Sequence, residues 1–239
     1  ALEEPGNGII IKGFVSEEEL AQLYGHCRVV VVPLIYSPVA RSAKTLLALT
    51  IGQILGEEKA VLYLNMEAYS GFEKLFGLED TGNLTDLFYF LRCREHLAYE
   101  ELGRFMKPLG KMDFIPPVVS PEDIHAIGNE DWIKLFDFIR QGKHYETVIL
   151  DMGNSVGQIF QLLAMCKTVY VPIQDDLIAR CKLEQFRKLI KQWGRIEQER
   201  IKEVRLPACG VNLSDAEFVE TLSWGKWGGF VRRMLEKHG

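Results

Sequence analysis

The sequence predicts an α/β fold, a mostly parallel sheet flanked by helices. Three observations predict it. Apolar runs of strand length alternate with longer helical stretches, which implies β-α-β crossovers. The clearest strand runs are almost continuously apolar, as in sheets covered on both faces. Three polar loops each follow such a run, at the strand ends where ligands of parallel sheets bind.

Taken in order, Gly8 to Phe14 reads as a strand. Ser16 then opens a helix that ends near Gly25. Ser16 with Glu19 is a capping box, and Glu17 and Glu18 suit the positive end of the helix. Arg28 to Ile35 is a buried strand. Lys44 to Leu55 is a helix, stopped by Gly56, and Ala60 to Asn65 is the next strand. Ser70 to Phe76 and Leu84 to Arg94 read as helices. Met112 to Ile115 is a short strand closed by Pro116 and Pro117. Asp131 to Gln141 is a helix with Ile133, Phe136 and Ile139 near helical spacing. "YETVILDMGNS" is a buried strand ending on an acid, Asp151. Gln158 to Met165 is a helix, Thr168 to Pro172 a strand, and Leu177 to Trp193 an amphipathic helix. Val204 to Leu206 reads as a last strand. The tail, Asp215 to His238, holds the stretch "SWGKWGG", to which the pattern assigns no element. Residues 1–27 form a leading strand and helix, read as the tail of an upstream domain or a joined segment. Residues 28–239 form one domain.

A chain of 239 residues, 47% hydrophobic, suffices for one large domain. Its net charge of -5 gives no bulk attraction to nucleic acid or anionic lipid. The basic stretch Arg180 to Arg195 reads as a solvated helix face rather than a binding patch. Five cysteines are scattered without a C-x-x-C pair, which suits a reducing cytosol and a cytoplasmic protein. No run of eighteen apolar residues and no signal peptide is visible, so no transmembrane segment is expected. The histidines do not cluster at metal spacing. Trp224 and Trp227 read as buried packing rather than an exposed contact patch.

The chemistry lies in the three loops. "YSPVARSAKTLLALT", Tyr36 to Thr50, has the layout of a phosphate-binding loop: strand, tight loop, Lys-Thr, helix. The usual form is G-x-x-x-x-G-K-[ST], and here Pro38 and Ala43 hold the glycine positions. The backbone of Arg41, Ser42, Ala43, Lys44, Thr45 and Leu46 would cradle phosphates at a helix N-terminus. Lys44 would reach the β and γ phosphates, and Thr45 would offer its hydroxyl to Mg²⁺. An ordinary first helical turn is the competing reading. In the second loop, "LNMEAYSG", Asn65 and Glu67 follow a buried strand, and the carboxylate could order a water or Mg²⁺. A simple strand-to-helix turn competes. In the third, "ILDMGNS", Asp151 ends a strand ahead of Gly153, the Walker B arrangement in which the acid holds Mg²⁺. A local turn competes there too. The three loops in this chain order together favour a nucleotide site.

These residues, with "TVYVPIQDD" further on, resemble the MinD/ParA family of deviant Walker P-loop ATPases, and most of all its CpaE-like branch. The resemblance runs from about Arg28 to Leu206. It implies a P-loop NTPase sheet, Mg-ATP or ADP as cofactor, a homodimer with ATP between the subunits, and protein partners in positioning or pilus assembly. By position Lys44 matches the P-loop lysine, Thr45 and Asp151 the Mg²⁺ ligands, and Asn65 and Glu67 the family's two aspartates. Lys44, Glu67 and Asp151 are the candidate catalytic residues. The departures are specific. The family's loop reads K-G-G-x-G-K-T, whereas this chain has Val39, Ala40, Arg41, Ser42 and Ala43 before Lys44. Val39 replaces the lysine that reaches the partner's nucleotide, with Arg41 as a substitute. Hydrolysis is therefore expected to be weak or absent, and any turnover slow. A pseudo-ATPase interaction module is the alternative, in which the sheet persists without a nucleotide. Residues 8–34 are also similar to a β-α-β segment of GT-B glycosyltransferases. A sugar-nucleotide transferase fragment is thus a third reading, weakened because that family's donor-site motif does not follow.

Overall fold

The chain is seen here in a computed structural model, which describes residues 28–32, 41–78, 81–93, 99–142, 144–153, 156–157, 159–173, 176–207 and 217–238. The strand and helix expected between Gly8 and Gly25 lie outside the described residues, as do residues 33–40, which include the end of the strand expected to reach Ile35. Among the described residues one sheet of seven strands is present: β1 (Arg28–Val32), β2 (Val61–Met66), β3 (Lys107–Leu109), β4 (Met112–Ile115), β5 (Thr147–Met152), β6 (Thr168–Ile173) and β7 (Ile201–Arg205). Their spatial order is β3-β4-β2-β5-β1-β6-β7. The β3–β4 pair is antiparallel and the other pairings are parallel. The expected fold class therefore holds.

Nine α-helices are described: α1 (Arg41–Leu55), α2 (Phe72–Phe76), α3 (Leu84–Cys93), α4 (Pro121–Ala126), α5 (Asn129–Gly142), α6 (Ile159–Met165), α7 (Leu177–Trp193), α8 (Phe218–Thr221) and α9 (Gly225–His238). Side chains alternate across a strand, so each central strand feeds two cores. Leu62, Leu64 and Met66 of β2, with Val148, Leu150 and Met152 of β5, pack with residues of α3, α5, α6 and α7. Val61 and Tyr63, with Ile149, pack instead with α1, α2, α8 and α9. This two-sided burial is why β2 and β5 read as continuous apolar runs. It also places Tyr63, Asn65 and Asp151 on the α1 side of the sheet.

Two differences from the sequence reading have plain causes. Helix α1 begins at Arg41, three residues ahead of Lys44. Arg, Ser and Ala all propagate a helix where a glycine-rich loop would have resisted it. Second, the unassigned "SWGKWGG" stretch opens α9, entered through Gly225 at φ 66. Trp227 is buried, and its indole N–H donates to the Thr50 hydroxyl at 2.7 Å. Trp224, by contrast, is 66% exposed, so the two tryptophans divide between the two readings. A Cβ on Gly228 would lie 2.2 Å from backbone atoms of Ser223. Gly228→Ala is expected to displace the start of α9 and cost about 1–3 kcal/mol, read from thermal melts.

Helix α9 is also tied by charge. Arg232 donates twice to Glu57, at 2.8 and 2.6 Å, and Lys111 donates once at 2.9 Å. Hydrogen bonds from these two cations hold the Glu57 carboxyl down at about 2. A carboxyl depressed by folding stabilises above its unfolded pKa and loses that contribution as pH falls through the folded value. Glu57→Gln should therefore lower stability near neutral pH and make it less sensitive to acid between about pH 4.5 and 2. Urea titrations across that range check this.

Candidate functional site

Strands β2, β5 and β1 are adjacent, and Asp151 is in register with both Asn65 and Val32. The exits of these parallel strands therefore stand side by side. Gly153 lets two of them touch: a Cβ there would lie 2.9 Å from the Met66 carbonyl oxygen and 3.0 Å from Glu67 Cα. Helix α1 packs over this end and brings Lys44.

Lys44 is fully buried. A buried ammonium needs partners for its charge and its three N–H donors. It has three. Its Nζ donates to a Glu67 carboxylate oxygen and to the Met152 carbonyl at 2.8 Å. It also lies 2.8 Å from Asp151 Oδ1, an ion pair outside hydrogen-bond geometry, so Oδ1 keeps no hydrogen-bond donor of its own. The second Asp151 oxygen is held from the sheet. The Tyr63 hydroxyl donates to Oδ2 at 2.8 Å. Asn65 Nδ2 donates to the Tyr63 oxygen at 3.1 Å and lies 3.4 Å from Oδ2. Asn65 Oδ1 accepts from the Glu67 backbone N–H at 3.0 Å, which fixes the orientation of the amide. Burial, and next the negative charge of Asp151, push the Tyr63 phenol well above its usual range, so it stays a donor.

The structure thus brings Lys44, Glu67 and Asp151 into one cluster. Arg41, Ser42 and Ala43 occupy the first turn of α1, where backbone N–H groups have no partner within a helix. From Thr45 onward the helical ladder uses those groups. Leu46 sends its side chain into the core, and Thr45 is half-buried. Tyr63 escaped the sequence reading. Its signal was a phenol in an otherwise aliphatic strand, two residues before Asn65 and so on the same face.

Asp151 would fit Mg²⁺ only in the form that ion takes beside a phosphate. It keeps several waters and uses one or two protein oxygens. Asp151 Oδ1, which has no hydrogen-bond donor but lies 2.8 Å from Lys44 Nζ, would be one of those oxygens once the ammonium moved toward a phosphate. Among the described residues no group of three or more His, Cys, Asp or Glu could hold a metal by itself. Nor is any described helix long and apolar enough to cross a membrane.

No protein-family model and no curated protein matches the sequence. Solved structures do resemble it. A ParA family ATPase from Chlorobium tepidum TLS superposes with a TM-score of 0.61 at 19% identity, over 81% of this chain and 80% of that one. A plasmid partition protein from Borrelia burgdorferi B31, bound to AMPPNP, gives 0.61 at 12% identity, over 88% and 97%. The MinC:MinD cell division protein complex of Aquifex aeolicus gives 0.54 at 15% identity, over 87% and 86%. What these likenesses show is a fold: the α/β sheet of this chain is built as in ParA/MinD-type P-loop ATPases.

Proposed function

We propose that this chain is a ParA/MinD-like protein that binds ATP or ADP with Mg²⁺ and acts as a switch or scaffold, with weak or absent hydrolysis. Residues 28–239 would be the nucleotide-binding unit. The observation that carries the reading is the convergence of Lys44, Glu67 and Asp151 at adjacent strand exits, beneath the first turn of α1. Lys44 would bind the β and γ phosphates, the first-turn N–H groups would orient them, and Thr45 with Asp151 would hold Mg²⁺. That ion would supply charge neutralisation at the phosphate oxygens.

The same contacts support the reading of weak turnover. A water attacking a phosphate needs a group that orients it. Asn65 carries no carboxylate, and its amide is engaged with Tyr63 and the Glu67 backbone. Glu67 has its carboxylate on Lys44. The finer roles that accompany this reading are a cytoplasmic location, a homodimer, and CpaE-like work in positioning or pilus assembly. The resemblance supports them, and the solved MinC:MinD complex is a precedent for a protein partner.

A second reading, the pseudo-ATPase interaction module, has its own support. Both acceptors of Lys44 and its ion-pair partner Asp151 are internal, so the ammonium has its partners without a ligand. Calorimetry with Mg-ATP and ADP separates the two. The partner sample is Lys44→Met with Asp151→Asn, which removes the phosphate cation without leaving a buried charge alone. Micromolar binding by the native chain, lost in the double variant, supports the switch. Absence of binding to the folded native chain sinks it and leaves the module.

A further inference from the structure

We propose that Glu67 is a built-in competitor for Lys44: its carboxylate holds the anion position that a ligand phosphate must take, and so sets the affinity of the site. The inference rests on the nucleotide-binding reading and assigns Glu67 a role other than handling water.

Exposure distinguishes the three partners around Lys44. The Lys44 and Asp151 side chains are 1% and 0% exposed, whereas that of Glu67 is 18% exposed. The Met152 carbonyl belongs to a fully buried strand residue. Asp151 and Met152 are therefore fixed in the sheet, and Glu67 is the partner that meets solvent. An anion arriving from solvent reaches the ammonium by replacing that carboxylate.

The competitor is also held in place. Asn65 accepts the Glu67 N–H, and Gly153 packs against the Glu67 backbone. A fixed backbone means that only the side chain moves on displacement. Once displaced, the carboxylate remains beside the incoming phosphate and repels it. Phosphate binding thus loses twice: the Lys44–Glu67 pair is broken, and a like charge stays near. Glutamine at this position keeps the shape, reduces the ion pair to a weaker neutral hydrogen bond and leaves no like charge near the phosphate.

The test is calorimetry of the full chain with Mg-ATP and with pyrophosphate, on native protein, Glu67→Gln and Glu67→Ala, with folding checked by circular dichroism. Both variants should bind at least tenfold tighter than the native chain. The gain should vanish when Glu67→Gln is combined with Lys44→Met and Asp151→Asn, which routes the effect through Lys44. If the native chain binds and neither variant binds tighter, the competitor is overturned while the nucleotide reading stands. If only the Glu67 variants bind, the competitor holds and the native chain is shut, which removes the switch. If nothing binds, both fall.

Discussion

Lys44→Ala is expected to destabilise the chain by about 3–5 kcal/mol, the usual loss when one partner of a buried ion pair is removed. The cause is Asp151. Its side chain is 0% exposed, and Lys44 is its ion-pair partner. Without the ammonium, the hydrogen bond from Tyr63 and the amide of Asn65 would face a buried carboxylate whose charge has no compensation. The sheet ends would then separate to admit water to it. The decisive comparison is with Lys44→Met combined with Asp151→Asn. Asparagine still offers an oxygen to the Tyr63 hydroxyl, and no charge remains buried. This pair should recover most of the loss in urea denaturation. Equal losses in the single and double variants would show that Lys44 stabilises through its packing instead.

Trp132→Ala is expected to cost about 3–5 kcal/mol, a large share of the 5–15 kcal/mol by which ordinary domains are stable. Trp132 on α5 is fully buried in the core on the α3 side. Its ring meets Phe88 edge-on, with centroids 4.8 Å apart, and stacks on Phe136 at 6.1 Å. Truncation removes both ring contacts and leaves a void between α3 and α5. Trp132→Phe should cost distinctly less. The indole Nε1 is buried without a hydrogen-bond partner, so removing it also removes an unsatisfied donor. Chemical denaturation of the two variants measures the difference. Equal losses would mean that the indole N–H is satisfied in solution.

Legibility in the sequence followed burial and length. Helix α7 matches the sequence reading at both ends. Asp176 caps its start by accepting from the Ala179 N–H at 2.8 Å, and Gly194 ends it at φ 69. The strands β2, β4 and β5 were legible because burial on both faces leaves little room for polar residues. Strand β3 was not. It is three residues long, contains Pro108 and pairs only through its hairpin with β4. Helix α4 left a usable trace in "SPED", since Ser120 accepts the Glu122 N–H and Pro121 opens the helix. At the site, Lys44, Glu67 and Asp151 were recognisable from their positions after strands. Their mutual contacts were not, because contacts depend on register across 108 residues of separation. Tyr63 joins them only once the strand face is known.

Among the described residues, the two margins of the sheet bear on how copies of this protein can associate. One margin is β3, short and carrying a proline that offers no N–H. The other is β7, whose run Ile201–Arg205 presents Lys202, Glu203 and Arg205. Short, proline-bearing and charged borders resist the docking of a foreign strand. Self-association by fusing sheets edge to edge, the route toward fibrils, is therefore disfavoured at both ends. A paired form that leaves these two margins unused would come apart again without unzipping either sheet.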